Sequence, residues 1–152
     1  MNKIGHITLL VKDQDEALKF YTEKLGFQKR QDIVIAENIR WVTVSPKDQT
    51  DLELTFVVAN SEDKRKAVGK QAGDHVFLTL ETDDCRKEYK VLKAKGVKFY
   101  GKPEVQQWGV DVVLEDLYGN LFDLVQRFHT WLKKTLVSYQ FFAATLSRSL
   151  AI

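Results

Sequence analysis

The 152-residue chain holds one cysteine, three histidines and no long hydrophobic run, and each scarcity excludes something. With Cys85 alone, no intramolecular disulfide can form, which fits a reducing compartment. The opening Met-Asn-Lys-Ile-Gly-His has no apolar stretch of the kind a secretory signal carries, so none is expected. No segment approaches the ~20 consecutive apolar residues of a membrane helix. We therefore expect a cytoplasmic protein without membrane contact. An excess of one charge is missing too: 23 Lys/Arg against 21 Asp/Glu leave a net +2, too little to point to nucleic acid. All the acids lie in residues 1–127, whereas 128–152 carry only Lys133, Lys134 and Arg148.

What is present suits a globular core. Hydrophobic residues make up 44% and charged residues 29%, the balance of an ordinary soluble domain rather than a disordered chain. The length fits one domain. Ile4 to Val11 reads as a half-buried strand. Asp13, with Glu16 three residues on, forms an acidic capping box for a helix carrying Ala17, Leu18, Phe20, Tyr21 and Leu25, which Gly26 stops. Strands are expected over 28–36, 40–45 and 51–58, with Pro46-Lys-Asp-Gln-Thr as the turn between the last two. This is β-α-β-β-β. After a polar linker, 59–74, with a short capped helix at Ser61-Glu-Asp-Lys-Arg-Lys, the order repeats. A strand is expected over 76–80, a helix capped by Asp84 and ended by Gly96, then strands over 97–100, 110–115 and 121–126, with Leu117-Tyr-Gly-Asn turning into the last. From Phe128 onward, Trp131, Leu132, Leu136, Tyr139, Phe142, Ala143 and Leu146 fall near helical spacing, and a C-terminal helix is expected, packed on the body or on a partner.

The repeat also carries chemistry. His6 opens the first unit and Glu53 lies near its end; His75 opens the second and Asp123 lies near its end. If both histidines point inward, symmetry brings two imidazoles and two carboxylates to one centre, a donor set suited to a divalent metal such as Zn, Ni, Mn or Fe. Two His and one carboxylate with open positions would equally suit a non-haem Fe(II) oxygenase. A histidine on a strand is most often a core or edge residue, and a polar residue on a half-buried strand most often faces solvent; the paired placement is what raises the ligand reading. Trp41, Phe56, Tyr100 and Trp108 are candidates to line a cavity, against the plain reading of aromatics on strands as core. Arg40 is a candidate for an anionic substrate group, against a plain surface role. Cys85 opens a helix, whose dipole can lower a thiol pKa, although an ordinary small residue is the simpler reading. His129 lies in the tail.

The double β-α-β-β-β pattern resembles the vicinal oxygen chelate superfamily, which includes glyoxalase I, fosfomycin-resistance thiol transferases, bleomycin-binding proteins and extradiol dioxygenases. The residues that carry the likeness are Gly5-His-Ile-Thr-Leu-Leu-Val-Lys-Asp, Phe20-Tyr and Leu25-Gly-Phe in the first module. In the second they are Leu92-Lys-Ala-Lys-Gly-Val and Glu115-Asp-Leu-Tyr-Gly-Asn-Leu-Phe-Asp-Leu. The likeness covers residues 3 to about 127. It implies an α+β fold of two tandem βαβββ modules (3–58 and 75–127, linker 59–74) forming a curled, mixed-sheet cavity in a glyoxalase-like domain, 1–127. Residues 128–152 would be a helical tail.

Carried over position by position, the resemblance implies His6, Glu53, His75 and Asp123 as metal ligands in the glyoxalase I pattern. The thiol-transferase and dioxygenase patterns would use His6, His75 and Asp123. It implies a lyase or transferase for a small oxygenated or electrophilic substrate chelated through two oxygens, with Glu53 or Asp123 as general base. The departures are Asp123 where Glu is usual, Leu117 in place of a common Pro, and a two-residue register alternative that puts Phe77, rather than His75, at the ligand position. The chain also resembles a glyoxalase-like branch carrying Arg40-Trp-Val-Thr-Val-Ser-Pro and Gln107-Trp-Gly, in which the histidine positions are not dependable ligands. Two rivals to the metal-dependent lyase or transferase follow. One is a metal-free binding protein of the bleomycin-resistance kind, holding an aromatic ligand between Trp41, Trp108 and the sheets. The other is an Fe(II) dioxygenase. A homodimer is expected in each case.

Overall fold

The computed structural model describes residues 1–128; the expected tail helix and His129 lie outside that range. The first module runs β1 (His6–Val11), α1 (Gln14–Lys19), a π-helical turn (Phe20–Lys24), β2 (Gln28–Ala36), β3 (Ile39–Ser45) and β4 (Glu53–Val58). A short helix, α2 (Glu62–Ala67), follows, capped by the Ser61 side chain as its sequence predicts. The second module runs β5 (Val76–Glu81), α3 (Cys85–Ala94), β6 (Lys98–Val105), β7 (Gly109–Glu115) and β8 (Leu121–Arg127). Two corrections apply. The first helix widens into a π-turn after Lys19, and β6 runs five residues beyond the expected Tyr100.

Each module is a four-stranded mixed sheet, in the order β1-β4-β3-β2 and β5-β8-β7-β6. The first strand of each module pairs in parallel with the last, and the remaining pairs are antiparallel. Strand alternation sorts the side chains. Leu9, Val11, Val42, Val44, Leu54 and Phe56 turn to the core, as do Val112, Leu114, Phe122 and Leu124, and both modules contribute to a single buried cluster. The other face of the first sheet carries His6, Thr8, Glu53, Thr55, Trp41 and Thr43.

A buried polar clasp joins the modules. The Tyr21 hydroxyl donates to Asp116 Oδ2 at 2.9 Å, and Asn120 Nδ2 donates to the same oxygen at 2.9 Å. Asp116 Oδ1 accepts from the backbone N–H groups of Tyr118, Gly119 and Asn120, which closes the turn between β7 and β8. Asn120 Oδ1 accepts from the Gln71 backbone, and the Gln71 side chain bonds Thr8 O and Leu10 N on the free edge of β1. Gly69 lets the linker reach this turn: at φ +76°, a Cβ there would lie 1.8 Å from the Tyr118 carbonyl oxygen.

Candidate functional site

The internal symmetry can be read from two helix caps. Asp13 accepts from Glu16 N at 2.8 Å, and Asp84 accepts from Lys87 N at 2.9 Å. The offset of 71 residues between them also takes Leu9 to Leu80, and these occupy matching places in the parallel pairs Leu9–Phe56 and Leu80–Leu124. Carried back along the strand, the same offset takes His6 to Phe77. On the partner strands, Phe56 matches Leu124, so Thr55 matches Asp123 and Glu53 matches Leu121. The second ladder slips at this point, between Val76 and Leu78, so the first module presents a His–Glu pair where the second presents Val76 opposite Leu121, with Phe77 displaced between them.

His6 and Glu53 are register partners, and His6 Nε2 stands 3.7 Å from Glu53 Oε2. His75 precedes β5, is exposed, and closes a turn through its backbone N–H to Ala72 O. Asp123 lies opposite Thr79 and Val113, half-buried, and burial followed by the neighbouring Asp111 charge raises its pKa. Two of the four expected ligands are brought together and two are not. Among the described residues, no group of three or more His, Cys, Asp or Glu comes together as a metal ion requires. The donor set within one chain therefore does not fit a three- or four-ligand centre.

The remaining candidates divide. Trp41 lies on the His6 face, and the two rings meet edge to face with centroids 5.4 Å apart. Phe56 is a correction: at 1% exposed it belongs to the core, against Tyr21, because alternation turns it away from Thr55. Tyr100 is exposed on the second sheet beside Glu115 and Lys98. Trp108 is also exposed, and its indole N–H donates to Asp111 Oδ2 at 3.1 Å.

Arg40 is already engaged, bonding Asp32 through Nε at 2.7 Å and Asp15 through Nη1 at 2.8 Å. That hydrogen bonding holds the Asp32 carboxyl down at about 2. Cys85 is fully buried, and burial pushes its thiol up to about 11, outweighing any help from the helix terminus.

Two further residues belong to this face: Thr43 and Thr55 are cross-strand partners, 0% and 3% exposed. Thr43 Oγ1, Thr55 Oγ1 and Glu53 Oε2 are buried with no hydrogen-bond partner among the described residues. Threonine is common in strands, so only the register with Glu53 marks these two. Next to them, Trp41, Arg40, Thr55 and Val57 help line a recess of about 260 Å³.

Two tandem βαβββ modules with mixed sheets, offering polar and aromatic side chains on one sheet face, define a small-molecule-binding class of fold. The model of the glyoxalase/bleomycin resistance protein/dioxygenase superfamily matches residues 3–124, and the chain belongs to that superfamily. An uncharacterized protein of Shewanella frigidimarina (strain NCIMB 400) is 44% identical over 124 residues, covering 81% of this chain and 92% of its own. Among solved structures, UcmS2 is 34% identical with a TM-score of 0.74, covering 83% of this chain and 98% of its own. TnmS3, an antibiotic binding protein from Streptomyces sp. CB03234, is 28% identical with a TM-score of 0.70, covering 84% and 98%.

Proposed function

We propose that this chain is a metal-independent binding protein for a ring-bearing small molecule, held on the face of the first sheet around His6, Trp41 and Glu53. The observation that carries this reading is that the His6–Glu53 pair of the first ladder is answered in the second by Val76 and Leu121, with Phe77 beside them. The second module offers no donor at the places where pairing of the modules would require one. Similarity to an antibiotic binding protein agrees with this class of ligand. Without a metal to stabilise an oxyanion, the His–Glu pair and the neighbouring hydroxyls act as hydrogen-bonding groups that orient a ligand.

We further propose that two copies pair. Ile33, Val34, Ile35 and Ile39 at the β2–β3 hairpin are each more than half exposed, an apolar patch that a second copy would cover.

The test is equilibrium binding of a panel of ring-bearing antibiotics, with and without EDTA, followed by chromatography of the recovered ligand. The reading expects 1:1 binding per chain at about 10 μM or tighter, indifferent to EDTA, with the ligand recovered unchanged. Chemical turnover, or binding abolished by EDTA, contradicts it.

A further inference from the structure

His6 and Trp41 are not neighbours along the sheet. His6 stands level with Glu53 on β4, whereas Trp41, next to the Val42–Phe56 pair, stands level with Val57. Four residues of β4 separate those levels, and Thr55 is midway. For the two rings to approach to 5.4 Å, both side chains must lean together over Thr55 and its partner Thr43. Both threonines are closed off, at 0% and 3% exposed, and their hydroxyls have no partner among the described residues. Glu53 Oε2 is covered from the same side, with His6 Nε2 at 3.7 Å, too far for a hydrogen bond.

We infer that the His6–Trp41 pair is a displaceable aromatic lid over a polar floor made of Thr43 Oγ1, Thr55 Oγ1 and Glu53 Oε2, and that the ligand is a neutral or cationic ring carrying two hydrogen-bond donors. This inference rests on the binding reading above and names its ligand chemistry. A buried polar atom without a partner is costly, so the closed state carries a penalty that a ligand removes by bonding the floor as the rings swing aside. Opening would also enlarge the 260 Å³ recess, which Trp41 and Thr55 both line.

The floor selects against anions. Glu53 carries a carboxyl group, and the guanidinium of Arg40, in the wall of the recess, is already shared between Asp32 and Asp15. Its geometry selects spacing as well: Thr43 and Thr55 sit on adjacent strands, about 4.8 Å apart, the separation of two hydroxyl oxygens placed meta on a benzene ring. The displaced rings then offer their faces to that ring.

The experiment uses the full chain and three probes followed through the Trp41 indole N–H and His6 ring resonances by NMR. The probes are resorcinol, 1,3-dimethoxybenzene (the same ring and spacing without donors) and benzoate. Resorcinol is expected to shift both signals with a Kd of about 1 mM, as befits a fragment, with dimethoxybenzene at least about ten-fold weaker and benzoate silent. Thr43→Val and Thr55→Val, which keep shape and remove the unpaired hydroxyl, are expected to raise Tm by about 2–4 °C each while weakening resorcinol at least about ten-fold. A fall in Tm in both variants shows that the hydroxyls are already satisfied and overturns the inference. So does equal binding of all three probes, or none by resorcinol. An antibiotic that binds the wild type and both valine variants alike overturns the lid and leaves the binding reading standing.

Discussion

Phe77 lies 71 residues after His6, the same offset that separates the helix-capping Asp13 and Asp84, yet a slip in the ladder between Val76 and Leu78 turns it onto core Phe122 and leaves Val76 opposite Leu121. Of the two residues that the sequence offers for the inward place, only Phe77 lies within β5. Phe77 stacks on Phe122 with ring centroids 6.2 Å apart and packs against the core, whereas His75 stands exposed before the strand begins. Phe77→Ala is therefore expected to destabilise the protein by about 2–3 kcal/mol, less than a fully buried aromatic would cost, and His75→Ala to stay within about 0.5 kcal/mol. Urea denaturation of both variants checks this; the reverse order would restore His75 to the strand.

The clasp between modules has a weak and a strong member. Tyr21→Phe removes one hydrogen bond to Asp116 Oδ2 and leaves that oxygen with Asn120 Nδ2. A loss of about 1 kcal/mol is expected. Asp116→Ala strips the Tyr21 hydroxyl, the Asn120 amide and three turn N–H groups of their acceptor at once, and about 3 kcal/mol or more is expected. Equal losses would show that the turn is held by something else.

The Asp32–Arg40 pair predicts an acid limb. Asp32 titrates near 2 in the folded protein against 3.8 unfolded, a depressed carboxyl. Its stabilisation is present above pH 4 and is lost as pH falls through about 2. Both side chains are partly solvated, so screening reduces the contribution to about 1 kcal/mol. Arg40→Gln should flatten the stability difference between pH 5 and pH 2; an unchanged slope would show that the pair contributes nothing.

Asp123 carries the opposite sign. Burial and Asp111 raise its carboxyl, so its ionisation opposes folding, and stability from this group is lost as pH rises from the unfolded value through the folded one. Asp123→Asn should raise Tm at pH 7 and leave it unchanged well below pH 4. A fall in Tm at neutral pH would mean that the carboxylate is paired.

Much of this fold is legible in the chain because local signals agree: both aspartate caps, the serine cap of α2, the strands before and after them and the turn at 117–120 all appear where propensity and pattern put them. Legibility stops where the answer depends on pairing. Nothing local distinguishes His75 from Phe77 as the first inward residue of β5, since a two-residue slip preserves the strand face; the start of the strand at Val76 and the irregular ladder beside Phe77 decide. Phe56 reads as a cavity residue only until alternation within β4 is fixed by Val42 and Leu9. Arg40 reads as free until Asp32 and Asp15 are seen beside it. Thr43 and Thr55 give no signal in one dimension, because their significance lies in being level with each other on the face that carries Glu53.

Pairing of two copies is checked by sedimentation velocity. A dimer at tens of micromolar is expected, and Val34→Lys with Ile39→Lys should shift it toward monomer by placing two charges in the covered patch. A clean monomer of the parent chain would remove the proposed role of the hairpin.

The central claim is that the His6–Glu53 pair works without a metal. Tag-free protein is loaded in turn with Zn²⁺, Ni²⁺, Mn²⁺ or Fe²⁺, desalted, and assayed by elemental mass spectrometry beside His6→Ala and His75→Ala. Well under one equivalent of any metal is expected in the parent, with no difference in either variant. Near-stoichiometric metal in the parent, lost in both variants, would contradict that claim and bring His6 and His75 to one centre.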